Sequence, residues 1–394
     1  MNHRERVVAS IRHREPDRVP IDLGGMRSST IMALAYARLK EYLGVTGGDV
    51  YVFDPLLQLA YVEEPIRQRL GCDAVFLYDV EAQWRGYILP DGTPAKIRAD
   101  FPIEPDGQAG EYACNRSWHR PAGGYYFDPI TWPMSEATSV ADLDHYPWPP
   151  PPSDEYLTYL QAVARRLCTE TDYAIIGEWA AGTFLEGGQW LRGQANFLMD
   201  LAGSRAFAET LLDRLLEQQL RDTELYLDAV GDYIQIVQVN DDLGIQTGPQ
   251  MRPEMYYEMI QPRQKAVWSR VHQLAPEAAI LLHSCGGIYD LIPGLIDAGC
   301  DALNPVQSSA RGMEPERLKR EFGDKICFWG GGCDTQQVLP FGRPEEVYEH
   351  TRCNVGIFKP GGGFVFCQVH NIQADVAPEN IVAMFEAVHD SWAY

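Results

Sequence analysis

The chain is short of positive charge. Its 33 lysines and arginines stand against 55 aspartates and glutamates, a formal net charge of −22 over 394 residues. That balance excludes non-specific partners such as nucleic acid or an anionic membrane surface, since both need a basic patch. No apolar run approaches the roughly 18 residues of a membrane span. The opening Met1-Asn2-His3-Arg4-Glu5-Arg6 is polar and lacks the apolar core of a signal peptide, so a cytoplasmic enzyme is expected. The nine cysteines are scattered singly, without the paired spacing of a disulfide frame. Cys72, Cys168, Cys300, Cys327 and Cys353 lie in apolar or helical stretches and are expected to fill core. No Gly-x-Gly-x-x-Gly follows the first predicted strand. Gly330-Gly331-Gly332 and Gly361-Gly362-Gly363 lack the context of a phosphate loop and read as tight turns.

What is present centres on Ile280-Leu281-Leu282-His283-Ser284-Cys285-Gly286-Gly287. An apolar run ends in His-x-Cys, a glycine pair follows, and Ile288 to Ala298 is amphipathic. The pattern predicts a buried strand, a turn and a helix. Imidazole and thiolate two residues apart share one space if the strand breaks at Ser284, and together they favour zinc. A buried cysteine beside a hydrogen-bonded histidine is the plainer alternative.

Short apolar strands alternate with helices along the chain. Strands are expected at Ile21–Leu23, Asp73–Tyr78, Tyr173–Glu178, Tyr233–Asn240, up to His283, Cys300–Asn304, Lys325–Gly330 and Gly363–His370. Helices are expected over 3–13, 28–43, 153–169, 185–202, 204–229, 252–274, 288–298, 314–322, 344–358 and from Pro378 to His389. Eight such units predict an α/β fold of the closed (β/α)8, TIM-type barrel class, with 1–394 as one barrel domain. Between 80 and 152, after the second strand, helical periodicity vanishes and Gly, Pro and Trp become frequent. Gly86–Thr93, with Asp91-Gly92 in its turn, and Gly123–Asp128 read as hairpins. This is a β-rich insertion, closed by the stiff Pro147-Trp148-Pro149-Pro150-Pro151-Pro152.

In such a barrel the residues just past each strand share one rim. Those ends read Glu178-Trp179, Asn240-Asp241-Asp242, His283 with Cys285, Asn304, Cys333-Asp334 and His370-Asn371. Cys333 and His370 are candidates to complete a metal site with His283 and Cys285, either one alone or both. A turn cysteine and a capping histidine are the alternatives. Glu178 and Asp242 are candidate catalytic carboxylates. Trp179, Asn240, Asp241 and Asn304 are candidates to bind substrate.

These residues resemble the uroporphyrinogen decarboxylase superfamily, and within it the zinc-dependent methyltransferase branch that works with corrinoid proteins. The likeness rests on Arg4-Glu5-Arg6, Glu15-Pro16-Asp17-Arg18-Val19-Pro20, Asp241-Asp242-Leu243-Gly244, His283-Ser284-Cys285-Gly286-Gly287 and Ala377-Pro378-Glu379-Asn380-Ile381. It covers most of the chain outside 80–150. True decarboxylases share an early Arg-Gln-Ala-Gly-Arg-Tyr stretch whose arginines hold porphyrinogen carboxylates. Here Leu23-Gly24-Gly25-Met26-Arg27-Ser28-Ser29 carries one arginine. The methyltransferase branch has a second cysteine about ten residues before Glu-Asn-Ile, where this chain has His370.

The resemblance implies methyl transfer between a small substrate and the cobalt of a corrinoid, with Zn2+ as Lewis acid. A methyl ether donor is favoured over a thiol acceptor, with Trp84, Trp118, Tyr125, Tyr126 and Trp132 as walls for an aromatic substrate. No Asp-x-His-x-x-Gly motif of a corrinoid-binding domain is present. The cobalamin is therefore expected on a transient partner protein. Barrels of this superfamily are often homodimers. A metal-free tetrapyrrole decarboxylase and a non-catalytic binding barrel are the competing expectations.

Overall fold

The computed structural model of the protein describes residues 1–78 and 83–394; the first positions expected for the insertion, 80–82, lie outside the described residues. Seven parallel strands pair side by side. In chain order they are Ala74–Phe76, Ala174–Glu178, Ile236–Asn240, Ala279–His283, Ala302–Asn304, Cys327–Trp329 and Phe364–Val365. The extended segment 19–22 is the eighth stave. Phe366 N donates to Pro20 O and Asp22 N to Phe366 O on one side, and Asp73 N donates to Ile21 O on the other. The sheet thus closes on itself as the alternating pattern predicts.

Closure sorts side chains by the period-two rule. Ala74, Ile176, Ile236, Leu281, Ala302, Cys327, Trp329 and Val365 fill the barrel interior, and Met26, Val7 and Ile11 join them. Val75, Ile175, Val237, Ile280, Leu303, Phe328 and Phe364 point outward into a second core under the helices. Cys72, Cys300 and Cys327 are buried as expected. Cys168 is only half-buried and Cys353, on the helix Pro344–Phe358, is exposed, so that part of the expectation is corrected.

At the floor, the fully buried Asp73 accepts from Arg6, Arg18, His3 and the Ile21 N–H. Arg4 binds the carbonyls of Cys168, Thr171 and Tyr173. The opening sequence motif is therefore a clamp that joins the first helix to the strand entrances.

The chain after the second barrel strand completes a mixed sheet and forms an antiparallel one. Trp84–Ile88 pairs with Pro94–Arg98 around the Asp91-Gly92 turn. This hairpin extends a sheet already built from Ile31–Met32, Tyr51–Asp54 and Leu59–Ala60. Those three short strands are absent from the sequence reading, which has a helix from Ser28; the helix starts at Ala33. The second sheet is a meander of Ile103–Pro105, Glu111–Ala113, Trp118–Arg120 and Asp128–Pro129. It carries Trp118 over the barrel mouth.

Candidate active site

A cavity of about 770 Å³ opens at the carboxyl ends of the strands. Two potential metal donors, His283 and His370, line it, and a third, Cys285, stands beside them. A nitrogen of His283, the Sγ of Cys285 and a nitrogen of His370 all lie within 4.8 Å of one another. His283 Nε2 is 3.4 Å from Cys285 Sγ, and the two imidazole centroids are 5.4 Å apart.

The loop that makes this possible is tied down residue by residue. Ser284 Oγ accepts from Leu243 N, Cys285 N donates to Asp242 Oδ1 at 2.7 Å, and Gly286 N donates to Gln307 Oε1. Gly286 has φ +85°, and a Cβ there would fall 2.5–2.8 Å from the backbone of Gly244 and Ile245. Only glycine permits that approach.

Each histidine is oriented by an asparagine. Asn304 is fully buried, and its Nδ2 donates to Trp329 O, so its Oδ1 must face His283. His283 Nδ1 donates to that oxygen at 2.6 Å, and Ser28 Oγ adds a second bond to it. Asn371 repeats the device. Its Nδ2 donates to Arg27 O, and His370 Nδ1 donates to its Oδ1 at 2.7 Å. Both rings are left with the Nε2 lone pair as an acceptor, that of His283 turned to Cys285 Sγ, the form a cation binds. Burial and the neighbouring His283 hold His370 down to about 4, so it is neutral at pH 7. His370 also sits at φ +67°, a strained backbone for a non-glycine residue and one that clusters at functional positions.

The donor set fits a metal ion. Two imidazoles and a thiol leave room for an exchangeable position. Donors around one ion of that kind lie on the order of 3.5 Å apart, so small side-chain rotations close the site.

The structure corrects three expectations. Cys333 does not reach the donors. It is fully buried in the outer core, with its Sγ against Asp334 O and Thr351, and burial pushes its thiol up to about 12. Asp241 does not face the cavity. It is buried and accepts from Glu186 N and Gln264 Nε2, capping the helix Leu185–Arg192; burial pushes its carboxyl up to about 7. Asn304 supports His283 and is closed off from substrate.

Glu178, Trp179, Asn240 and Asp242 do line the cavity. Glu178 Oε1 meets Arg27 Nε at 3.3 Å, while its buried Oε2 has no partner. Burial raises the Glu178 carboxyl above its ordinary range. Trp179 stacks on Tyr226 at 4.3 Å, and its buried Nε1 is also unpartnered. Asp242 Oδ1 lies 3.9 Å from His283 Nε2.

Of the insertion aromatics, only Trp118 reaches this cavity. Trp132 lines a smaller neighbouring pocket, Trp84 faces a separate groove, Tyr126 bonds Gln373 and Tyr125 is exposed. Trp190 and Glu186, on the helix Leu185–Arg192 that follows the strand Ala174–Glu178, add to the wall. Burial and the nearby Asp242 push Glu186 up to about 8. Sequence reasoning placed that helix but did not use the fact that its first turn points back over the rim.

Comparison with known proteins agrees with this geometry. The family described as "Uroporphyrinogen decarboxylase (URO-D)" matches residues 127–391. Uroporphyrinogen decarboxylase of Methylococcus capsulatus is 25% identical over 263 residues, covering 64% of this chain and 69% of that protein. The Serratia proteamaculans enzyme is 26% identical over 276 residues, covering 68% and 73%. A methyltransferase from Methanosarcina mazei superposes over 99% of both chains with a TM-score of 0.61 at 14% identity, a likeness of fold. The chain belongs to the uroporphyrinogen decarboxylase family, on a TIM-type barrel with a three-donor cluster at its mouth. No helix among the described residues is long and apolar enough to cross a membrane.

Proposed function

We propose that the protein is a zinc-dependent methyltransferase that passes a methyl group between a small molecule and the cobalt of a corrinoid carried by a transient partner protein, in the cytoplasm. The observation that supports this reading is the convergence of His283, Cys285 and His370 at the barrel mouth with both imidazoles held in the metal-binding tautomer. Zn2+ bound there would supply a Lewis acid that polarises the heteroatom losing or gaining the methyl.

The chain's own residues do the rest. Asn304 and Asn371 fix the two rings, and the Asp242 carboxylate fixes Cys285 by its backbone N–H. Trp118, Trp179 and Trp190 wall the cavity and hold water away from the reacting atoms. Asn240 and Asp242 stand at the rim to position substrate.

The names of the curated relatives favour decarboxylation of a tetrapyrrole instead. The cavity argues against it. Arg27 is the one arginine of the Leu23–Ser29 stretch, and its guanidinium already meets Asp54 and Glu178. Other carboxylates on the same wall would repel a polycarboxylate.

The test is single turnover with cob(I)alamin and 2-methoxyphenol, followed by the visible spectrum, and with methylcobalamin and a thiol for the reverse sense. Methyl transfer by the zinc-loaded chain that disappears on chelation is expected. Zinc-independent decarboxylation of uroporphyrinogen, with no methyl transfer, would overturn the proposal.

A further inference from the structure

The charge on the cavity wall is one-sided. Asp54, Glu178, Glu186, Asp222 and Asp242 line it against one guanidinium, Arg27. Arg27 is already claimed twice, by Asp54 at 3.2 Å and by Glu178 at 3.3 Å. Arg221 answers Asp222 at 2.7 Å. Asp242 faces the three donors, where a bound metal cation would answer it. Two carboxyl groups are left incompletely answered; burial holds the proton on Glu186 up to about pH 8, and a cation seated beside it would displace that proton. Glu186 is met by the Trp190 Nε1–H, a neutral donor, and Glu178 keeps one buried oxygen with no partner at all.

A buried acceptor without a donor costs about 1–3 kcal/mol, and a cation held near the carboxylate offsets part of that cost by its charge, without a hydrogen bond. The same wall carries three indoles. Trp118 and Trp190 lie 5.3 Å apart, and Trp179, stacked on Tyr226, also lines the cavity. Carboxyl groups in excess over cations beside tryptophan rings form the environment that attracts an organic cation, through the negative ring face and the net acidic wall.

We infer that the small molecule this cavity takes is a methylated ammonium ion, seated between Glu178, Glu186 and the tryptophans Trp118, Trp179 and Trp190. The inference rests on the methyl-transfer reading for its biological sense, but not for its physical basis. It narrows the substrate from an ether or thiol to a cation whose positive charge answers the carboxyl groups, and bound Zn2+ would accept the lone pair of the amine that departs as the methyl leaves. An anionic aromatic substrate would meet the same carboxylates and be repelled.

Calorimetric titration of the zinc-loaded full chain separates charge from shape. The probes are choline, its uncharged carbon isostere 3,3-dimethyl-1-butanol, and the anion 3-methoxybenzoate. Choline is expected to bind at least ten-fold more tightly than the isostere, and 3-methoxybenzoate more weakly than either. The choline advantage is expected to shrink in Glu178→Gln and in Trp190→Leu. Trp190 is 43% exposed, so its variant folds even if the buried one does not. Equal binding of choline and its isostere, or tighter binding of the anion, would overturn the inference. Because binding is read without a corrinoid, the two readings fail separately. Demethylation of 2-methoxyphenol with no choline preference sinks this inference alone, and choline binding without any methyl transfer to cob(I)alamin sinks the methyltransferase reading alone.

Discussion

At the floor of the barrel Asp73 is wholly buried, and every lone pair it presents is met by Arg6, Arg18, His3 or a backbone N–H. At the mouth Glu178 is almost as deep, yet one oxygen has no partner, and the Trp179 N–H beside it has none either. Both ends bury carboxylates that would be costly in isolation. The floor repays that cost within the fold. The mouth leaves it open, and adds a histidine in left-handed backbone and three donors gathered without a bond that needs all of them. Unfinished polar chemistry therefore marks the end where the proposed site lies, and completed chemistry marks the end that holds the barrel shut.

The sharpest way to test that contrast is to cut one residue at each end. His283→Ala or Cys285→Ala is expected to weaken zinc binding by at least about 100-fold and abolish methyl transfer, while the melting temperature of the metal-free chain stays near that of the parent. Cys333→Ser serves as the control, with zinc content unchanged on elemental analysis. Asp73→Ala is expected to do the reverse. Stranding the Arg6 and Arg18 charges costs about 3–5 kcal/mol of stability in denaturant titration, with one zinc retained per folded chain.

A smaller effect is expected when a support is removed and the ligands are kept. Asn304→Ala frees the His283 ring to turn, and zinc affinity measured by competition with a chelator falls about 10–100-fold. If it does not fall, the asparagine is not what presents Nε2.

The smallest effect concerns a buried acid that is only partly answered. Asp22 accepts from Trp329 Nε1 and Gly25 N, but burial raises its carboxyl to about 6. The unfolded value is about 3.9. The folded state therefore holds the proton longer than the unfolded state, and the stability this gives is complete below about pH 4 and lost as pH rises through 6. Asp22→Asn is expected to flatten the fall in thermal midpoint over that interval, and an unchanged slope would assign the fall to another group.

The barrel was legible because its strands are apolar runs separated by helices with 3.6-residue periodicity, and closure follows from counting eight of them. His283 and Cys285 were legible because a strand that ends in two metal-binding side chains and two glycines has few structural uses. His370 could be placed on the same rim by counting strand ends. Cys333 could not be separated from it, because the two differ in which way one turn rotates the side chain, toward Thr351 and the outer core for Cys333. Asp241 and Asp242 are adjacent and alike in sequence, and strand pleat sends one under a helix and the other to the cavity. Trp190 and Glu186 were missed since they sit in a helix whose periodicity announces only packing. The strands at 31–32, 51–54 and 59–60 are two to four residues long and carry no alternation to read.

The central claim is most directly tested by anomalous scattering at the zinc edge from crystals grown with reductant and zinc. One peak per chain, bounded by His283 Nε2, Cys285 Sγ and His370 Nε2, is the predicted result. No peak there, or a peak coordinated by Cys333, would contradict it.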